Sequence, residues 1–352
     1  MRVIQAGVGG FGSSWLYAVR ECDGFEHVAL IDPNPDALRS AGEITGVPSE
    51  RQFTRIEDAL SIEAEGLIDC TPAPSHERTS ISAIHAGLHV LVEKPIAETM
   101  SAAREIVAAA ARCNRVLMVT QQYRYQDQPR CLRQMISNGI IGDIDHITVE
   151  FQIQGLLFGW RQQMRHPFLM DMGVHHFDMM RYLLGRNAVR VQAQTWNPSY
   201  SNTKGDLNAF VWVEFEGGAR VNYTGTYCAP GVDTGWNGRW VITGSRGTLI
   251  WNARDEWGPI RLFRQNADLS QYQEMHFFTP LPEIWGEPIW APSIGATGHR
   301  YDLYHWRACI QNSLEPETSG RDNLHTLALT LASVEAAETG HTIEVERELT
   351  IR

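Results

Sequence analysis

The sequence lacks the features that mark a membrane, secreted or nucleic-acid-binding protein. It has no apolar run of about 18 residues, and the start, Met1–Gly7, is too short to be a signal peptide. Lysine and arginine form no basic run, and the net charge of −11 disfavours nucleic acid and anionic membranes as partners. The six cysteines show neither zinc-type spacing nor a disulfide framework. We therefore expect a cytoplasmic protein that binds neither a membrane nor nucleic acid.

The composition nevertheless suffices for a large folded core. Hydrophobic residues make up 43% of the 352 positions and charged residues 20%, which argues against a disordered chain. A chain of this length predicts about two domains. Most of the 11 tryptophans lie after residue 195, so the second half is expected to carry large aromatic surfaces.

A glycine pattern typical of dinucleotide binding opens the chain. The apolar stretch Val3–Ala6 predicts a strand, and Gly7-Val8-Gly9-Gly10-Phe11-Gly12 follows as G-x-G-x-x-G before a predicted helix. In this pattern Gly7 permits the tight turn, Gly9 lets the backbone approach a pyrophosphate, and Gly12 lets the helix pack on the strand. The N-terminus of the helix then stabilises the phosphate charge.

An acidic residue stands where a ribose-binding carboxylate is expected. The second predicted strand, His27–Ile31, ends at Asp32, which lies 20 positions after Gly12. At this spacing a carboxylate accepts a hydrogen bond from a ribose 2′-hydroxyl. No arginine or lysine directly follows to pair with a 2′-phosphate, so NAD is favoured over NADP. The cofactor contacts predicted here are Gly7, Gly9, Phe11, Gly12 and Asp32.

Strands and helices continue to alternate up to residue 121, which predicts a parallel, doubly wound sheet. Ligands of such sheets bind at the carboxyl ends of the strands. The predicted strands at 66–71, 89–92 and 116–120 each lead into polar residues at that edge. We therefore predict further cofactor contacts from Thr71, Pro72, His76, Glu93, Lys94 and Gln122.

After residue 121 the pattern changes to long alternating strands. A helix is predicted at 129–138, and residues 146–153 form the clearest strand. Further strands are predicted at 189–196, 207–215, 219–227, 240–243, 247–251, 260–263 and 273–278, a long loop at 279–300, and helices at 302–312 and 323–339. Short turns between strands predict a large, mostly antiparallel open sheet. We expect an α/β protein with a Rossmann domain at 1–121 and an α+β domain at 122–352.

One stretch of the second domain concentrates ionisable side chains: Asp171-Met172-Gly173-Val174-His175-His176-Phe177-Asp178. In a helix, Asp171, His175 and Asp178 stand at i, i+4 and i+7 and share one face. A carboxylate one turn before an imidazole can fix its tautomer and tune its basicity, and the same triple could hold a metal ion. An ordinary helix capped by Asp171 has the same spacing. The spacing alone leaves these three interpretations open.

Taken together, the chain resembles the Gfo/Idh/MocA family of nicotinamide-dependent oxidoreductases, which includes glucose-fructose oxidoreductase and inositol dehydrogenase. The resemblance covers essentially the full length. It rests on the glycine pattern, on Thr71-Pro72 with His76, on Glu93-Lys94-Pro95, on Arg124, and on Asp171-x-Gly173-x-His175-x-x-Asp178. It implies a second domain whose open sheet often forms dimers or tetramers. It also implies that Lys94, Asp171 and His175 are catalytic.

The resemblance implies hydride transfer between a sugar or polyol hydroxyl and the nicotinamide of NAD. In this hypothesis His175 accepts the hydroxyl proton, Lys94 stabilises the charge on the oxygen, and Asp171 orients His175, while Asp178 supports the helix. The predicted substrate contacts are Lys94, Arg124, Trp160, Arg161, His166, Asp171 and His175. Residues 165–170 stand where the family often has a glycine-rich run, so the resemblance implies no particular substrate.

Three other functions use some of the same residues. A NAD-dependent glycoside-cleaving enzyme would oxidise a sugar hydroxyl transiently and regenerate NAD. A metal-dependent hydrolase or isomerase would use Asp171, His175 and Asp178 as ligands, but the glycine pattern and Lys94 argue against it. A non-catalytic sugar sensor would not need Lys94, Asp171 and His175 together. We expect no metal cofactor, and a homodimer or homotetramer formed through the open sheet face.

Overall fold

The computed structural model describes residues 1–155, 157–231, 233–254, 258–264 and 286–349. Two compact units contain these residues. The first takes the described residues of Met1–Gln126, Ile294–Leu331 and Glu346–Arg352, and the second those of Asp127–Ser293 and Ala332–Val345. This discontinuous division differs from the predicted one at 1–121 and 122–352, because late helices pack on the first sheet.

A parallel sheet organises the first unit. The elements up to residue 126 are β1 (Arg2–Ala6), α1 (Gly12–Glu21), β2 (Glu26–Ile31), α2 (Pro35–Thr45), β3 (Gln52–Phe53), α3 (Ile56–Ala59), β4 (Gly66–Asp69), α4 (Ala73–His85), β5 (His89–Val92), α5 (Met100–Arg112) and β6 (Leu117–Val119). The described strands pair in parallel in the order β3-β2-β1-β4-β5-β6. The order reverses between β1 and β4, which is the place where such sheets bind dinucleotides. The predicted Rossmann arrangement is confirmed.

A second, mixed sheet follows. The elements are α6 (Asp127–Ser137), β7 (Ile144–Gln152), α7 (Val174–Leu184), β8 (Ala188–Trp196), β9 (Asn208–Phe215), β10 (Arg220–Thr226), β11 (Arg239–Gly244), β12 (Gly247–Asn252), β13 (Ile260–Arg264), β14 (Glu287–Ile289), α8 (Gly298–Asn312), α9 (Gly320–Thr339) and β15 (Ile343–Glu344). The described strands lie in the order β14-β13-β12-β11-β7-β10-β9-β8-β15. Only β7 and β10 pair in parallel among them, so the sheet is mostly antiparallel as predicted.

Both faces of the first sheet are buried, which its apolar strands require. On one face Ile4 and Leu67 belong to a core that includes Leu327 of α9. On the other face Val3 belongs to a core that includes Trp306 of α8. Helix α8 and the part of α9 up to Leu331 therefore complete the first unit, although they come late in the chain.

One face of the second sheet packs against the residues that the sequence singled out. Helix α7 is buried along its whole length. Phe177 of α7 packs edge-on to Tyr223 of β10, with ring centroids 5.9 Å apart, and Phe168 lies 5.8 Å from the same ring. Along β9 and β10, buried side chains alternate with half-buried or exposed ones. The half-buried and exposed side chains lie on the other face, as expected when only one face of an antiparallel sheet is covered.

Several details differ from the sequence predictions. Residues 279–300 are not one long loop, because β14 and the start of α8 lie within the described part of that range. The short strands β3 and β15 were not predicted, since two residues at a sheet edge carry no periodic signal. The predicted strand at 273–278 lies outside the described residues. No helix in the described parts of the chain has the length and apolar character needed to span a membrane.

Candidate active site

The glycine loop between β1 and α1 is closed too tightly to accept side chains. Gly7 has a φ of 78°, which favours glycine. A Cβ on Gly12 would lie 2.1 Å from the carbonyl oxygen of Gly7. The buried Gln5 amide donates hydrogen bonds to the carbonyls of both glycines. The segment Gly9–Phe11, in contrast, is exposed at the N-terminus of α1, so its backbone is open to a ligand.

Asp32 is held against this loop at the end of β2. Its Oδ2 accepts hydrogen bonds from the backbone N–H groups of Val8 and Gly9, at 3.0 and 3.3 Å. Its Oδ1 accepts from the N–H of Asn34 at 2.9 Å. These contacts fix a carboxylate beside the glycine loop, and the ribose contact of Asp32 stays a prediction.

The loop after β4 turns its polar groups inward. Thr71 Oγ1 donates to Asp69 Oδ1 at 2.6 Å, and Pro72 begins the turn into α4. His76 is only 1% exposed. Its Nδ1 lies 3.0 Å from the carbonyl oxygen of Pro95, and its Nε2 lies 2.7 Å from that of Thr71. Both imidazole nitrogens are therefore engaged by the protein, and the predicted cofactor contact of His76 stays a prediction.

Lys94 follows β5 between buried neighbours. It is half-buried, whereas Glu93 is 6% exposed. Glu93 Oε1 accepts from the indole N–H of Trp15 at 2.8 Å, and its Oε2 accepts from the backbone N–H of Lys94 at 3.1 Å. Gln122, three residues after the end of β6, has a buried Oε1 with no hydrogen-bond partner in the described part of the chain. Glu93, Lys94 and Gln122 thus stand at the same sheet edge as the glycine loop.

Arg124 lies among acidic side chains of the first unit. It is 4% exposed, its Nη2 is 3.4 Å from Asp322 Oδ2, and its Nη1 is 4.0 Å from Glu317 Oε1. A buried cation with acidic neighbours needs no ligand to account for it. The predicted substrate contact of Arg124 remains a prediction.

The segment around Asp171 is not one α-helix. Residues Phe168–Gly173 form a π-helix, and α7 begins only at Val174. A π-helix is wider than an α-helix, so the regular α-helix assumed for the spacing of Asp171 and His175 begins only at Val174. Asp171 accepts from Arg161 Nε, which lies 3.2 Å from both carboxylate oxygens.

His175 and Asp178 are buried on α7, at 4% and 2% exposure. The carboxylate and imidazole groups of the described residues form no cluster of three or more suited to hold a metal ion. The triple Asp171, His175 and Asp178 is thus not such a cluster.

His176 is a buried histidine that sequence reasoning did not select. Its Nε2 lies 3.0 Å from the carbonyl oxygen of Trp236, and its Nδ1 lies 2.7 Å from the hydroxyl of Tyr223. The carbonyl requires an N–H donor, and the hydroxyl can donate to the other nitrogen, so a neutral ring satisfies both. Burial lowers the pKa of His176 to about 4. The adjacent pair of histidines is the only sequence signal that could have indicated it.

The remaining predicted substrate contacts lie in two separate surroundings of the second unit. Trp160 is 39% exposed, and the Arg161 guanidinium lies 4.8 Å from its ring centroid. His166 is 8% exposed, with Nε2 3.1 Å from Glu338 Oε1 and Nδ1 3.6 Å from Asp206 Oδ2. Trp160 and Arg161 are thus grouped with Asp171, whereas His166 is held by other carboxylates.

Comparison with known proteins identifies the family. Residues 1–121 match a family model described as "Oxidoreductase family, NAD-binding Rossmann fold", and residues 130–250 match the "GFO/IDH/MocA C-terminal domain". D-apiose dehydrogenase from Paraburkholderia graminis is 32% identical over 345 residues, which cover 97% of this chain and 88% of that relative. The chain belongs to the GFO/IDH/MocA family. It is an NAD-binding oxidoreductase.

A further relative and a solved structure extend the comparison. Inositol 2-dehydrogenase from Corynebacterium glutamicum is 26% identical over 227 residues, which cover 63% of this chain and 66% of that protein. An oxidoreductase from Agrobacterium radiobacter, crystallised with NAD⁺, L-tartaric acid and magnesium, superposes with a TM-score of 0.83 over 98% of both chains. Its sequence identity of 20% shows a shared fold and no more.

The residues of the first unit fit the cofactor of this family. The exposed Gly9–Phe11 backbone lies at the N-terminus of α1, and Asp32 presents a carboxylate beside it. The buried, unpartnered Oε1 of Gln122 is an acceptor at the same edge of the sheet. A dinucleotide offers phosphates, ribose hydroxyls and a carboxamide, which match these groups in charge and hydrogen bonding.

Proposed function

We propose that this oxidoreductase transfers a hydride between a hydroxyl-bearing carbon of a sugar, sugar derivative or polyol and the nicotinamide of NAD. The observation that carries the proposal is the position of Lys94, the second residue after β5, at the sheet edge that also holds the glycine loop and Asp32. The substrates in the names of two relatives, D-apiose and inositol, support the substrate class.

We infer that NAD is preferred over NADP. The Asp32 carboxylate, held by the N–H groups of Val8 and Gly9, would accept from a ribose 2′-hydroxyl and repel a 2′-phosphate. Arg39 is already paired with Asp36, at 2.6 Å, so its charge is partly compensated. Because Arg39 is paired with Asp36, its guanidinium is less able to bind the 2′-phosphate of NADP.

Lys94 and His175 are proposed to handle the substrate hydroxyl. When NAD is bound, its nicotinamide ring supplies the acceptor for the hydride. The ammonium of Lys94 donates a hydrogen bond to the substrate oxygen and stabilises negative charge on it. The imidazole of His175 takes the hydroxyl proton during oxidation and returns it during reduction.

Asp171 is proposed to support His175 once the imidazole carries a proton. A carboxylate near an imidazolium stabilises its positive charge. Arg161 Nε, 3.2 Å from both Asp171 oxygens, holds that carboxylate in one orientation. Arg161 therefore influences the reaction through Asp171 even where it does not touch the substrate.

Trp160 and Arg161 are the preferred substrate contacts among the predicted set. The 39% exposed face of Trp160 suits the apolar side of a sugar ring, and the neighbouring guanidinium can bind hydroxyl oxygens. Arg124 and His166 are engaged by carboxylates of the protein, which gives them less capacity for a substrate.

We also propose a homodimer or homotetramer formed through the open face of the second sheet. Trp196 of β8 and Phe210 of β9 are 38% and 49% exposed, with ring centroids 4.7 Å apart. Paired exposed aromatic residues on a broad sheet are typical of a surface that a partner covers. Light scattering of the purified protein tests this, and a monomer at micromolar concentration would contradict it.

A cytoplasmic location is proposed from the cysteines. All six, at positions 22, 70, 113, 131, 228 and 309, are free thiols. Six free thiols in one chain are typical of a protein from a reducing compartment. Fractionation of the source cells is the direct test, and recovery in an oxidising compartment would refute the proposal.

A substrate panel tests the proposed activity. Sugars, inositols and glycosides are each mixed with NAD or NADP, and formation of the reduced cofactor is followed by absorbance. We expect turnover with at least one free sugar or polyol and a preference for NAD. Cleavage of a glycoside without net reduced cofactor would instead indicate the glycoside-cleaving alternative.

A further inference from the structure

Both nitrogens of the buried His76 ring face groups that can only accept hydrogen bonds. Nδ1 lies 3.0 Å from the Pro95 carbonyl oxygen, and Nε2 lies 2.7 Å from the Thr71 carbonyl oxygen. A neutral imidazole carries one N–H, so either neutral tautomer would direct a lone pair at a carbonyl oxygen. Only the doubly protonated ring donates to both.

The surroundings of His76 supply a negative charge for such a ring. Asp69 is fully buried and accepts from Thr71 N at 3.2 Å, Thr71 Oγ1 at 2.6 Å and Ser80 Oγ at 2.9 Å. Burial raises the pKa of Asp69, whereas the charge of His76 and these hydrogen bonds oppose that rise. Three donors aimed at one buried carboxyl favour its ionised form, which compensates the charge of the ring.

The two carbonyls joined by His76 belong to the loops that follow β4 and β5. Thr71 lies in the first loop, and Pro95 directly follows Lys94 in the second. On the other side of Lys94, its backbone N–H donates to Glu93, which is itself held by Trp15. The backbone is thus fixed on both sides of Lys94, by Glu93 before it and by His76 after it.

We propose that His76 is a doubly protonated positioning residue that ties the Lys94–Pro95 loop to the Thr71 loop, with Asp69 as its counter-ion. The consequence for activity rests on the proposed role of Lys94, whereas the charge of the ring does not. The ring acts through Lys94 and does not itself touch the substrate.

The charge of the ring is tested by nitrogen NMR of the ¹⁵N-histidine-labelled protein near pH 7.5. The His76 signal is assigned by its loss in His76→Gln. We expect both ring nitrogens of His76 to show imidazolium shifts. One protonated and one unprotonated nitrogen in His76 would overturn the proposal. This measurement needs no substrate, and it uses the intact wild-type protein.

The effect on Lys94 is tested by kinetics with a matched control. His76→Gln carries both of its N–H donors on one nitrogen and cannot reproduce donors on two separated ring nitrogens, so we expect kcat to fall on the order of tenfold or more. His85→Gln, at the exposed end of the same helix α4, should leave kcat within about twofold. Equal effects of the two changes would contradict the positioning role.

A double mutant separates positioning from general damage. If His76 acts through Lys94, then His76→Gln should cause no further loss in a Lys94→Ala background. A further loss of the same size would mean that the role of His76 is only structural. Wild-type turnover of Lys94→Ala alone would refute the proposed function of Lys94, and the NMR result would still decide the charge of His76.

Discussion

His76 in the first unit and His176 in the second are equally buried, at 1% and 0% exposure, but their partners differ. His76 faces two backbone carbonyls. His176 faces one carbonyl, of Trp236, and the hydroxyl of Tyr223, which can act as a donor. The first environment is satisfied only by a charged ring, whereas the second is satisfied by a neutral one. Burial alone would have predicted two neutral histidines, so the identity of the hydrogen-bond partners decides the charge.

The two units also differ in how they hold the residues proposed for catalysis. Lys94 lies in a first-unit loop that is tied on both sides by hydrogen bonds. His175 lies at the start of a helix that follows an irregular π-helical turn. The first unit thus holds its functional side chain by loops at a sheet edge, and the second by a packed helix.

The largest expected effect comes from removing one proposed catalytic group from each unit. Lys94→Ala and His175→Ala should each lower kcat about 100- to 10,000-fold, because each removes charge stabilisation or proton transfer. NAD binding, followed by quenching of tryptophan fluorescence, should persist in His175→Ala. The controls are Lys204→Ala, at the only other lysine of the sequence, and His146→Ala, since both side chains are exposed. Turnover within tenfold of wild type in either catalytic variant would refute that residue's role.

The pH dependence of the free energy of unfolding tests whether the buried histidines are neutral. The folded-state pKa of His176 is lowered from 6.5 to about 4 by burial, and so is that of His27. Between these values the unfolded chain binds protons that the folded chain does not, so the free energy of unfolding should fall as pH falls. The loss should be on the order of 3 kcal/mol for each histidine by pH 4.

The share of each histidine is measured by denaturant unfolding at pH 7.5 and pH 4. His176→Gln should lose less stability on acidification than wild type, because glutamine does not titrate. His146→Gln, whose side chain is 50% exposed, should behave as wild type. An unchanged pH dependence in His176→Gln would mean that the ring is charged in the folded state.

Asp302 in α8 should show the opposite pH dependence. Burial, together with the negative charge of Glu93, raises its pKa from 3.8 to about 6, although His299 opposes the shift. The contribution of Asp302 to the free energy of unfolding is fully present below pH 3.8 and is lost as the pH rises through 6. The loss should be on the order of 3 kcal/mol. Asp302→Asn should therefore gain stability relative to wild type at pH 7.5 but not at pH 3.5. Asp58→Asn, at an exposed site, is the control, and a gain equal at both pH values would contradict the assignment.

The smallest expected effect concerns the choice of cofactor. Asp32→Asn keeps the shape of the side chain but removes the charge that favours a ribose hydroxyl over a phosphate. KM for NAD should rise about tenfold, and the preference over NADP should shrink by at least that factor, as expected for a hydrogen bond to a charged group. Asp58→Asn, at an exposed site outside the proposed cofactor contacts, should change neither. An unchanged NAD-to-NADP ratio in Asp32→Asn would exclude Asp32 from cofactor selection.

Much of the fold could be predicted from local patterns. The glycine loop, Asp32 and the alternation of apolar strands with helices indicate the first sheet, because each depends on neighbouring residues alone. The alternating strands likewise indicate the second sheet. The strands β3 and β15, two residues each, could not be found, because their pairing depends on residues distant in the chain.

The sequence indicated a set of candidate site residues but not their contacts within the protein. The spacing of Asp171 and His175 suggested a regular α-helix, and the π-helix at Phe168–Gly173 carried no sequence signal. Arg161 was selected as a substrate contact, and its hydrogen bond to Asp171 was not indicated by the sequence. Such contacts depend on how loops pack, for which the sequence contains no periodic signal.

The sequence by itself determined the dinucleotide loop, the acidic residue beside it and the two-sheet architecture, because glycine conformation and hydrophobic periodicity act locally. Only the tertiary structure decided that α8 and the first part of α9 complete the first unit and that His76 joins two loops through carbonyls. It also decided which buried histidine is neutral. These properties depend on which donors and acceptors meet after residues far apart in the chain have packed together.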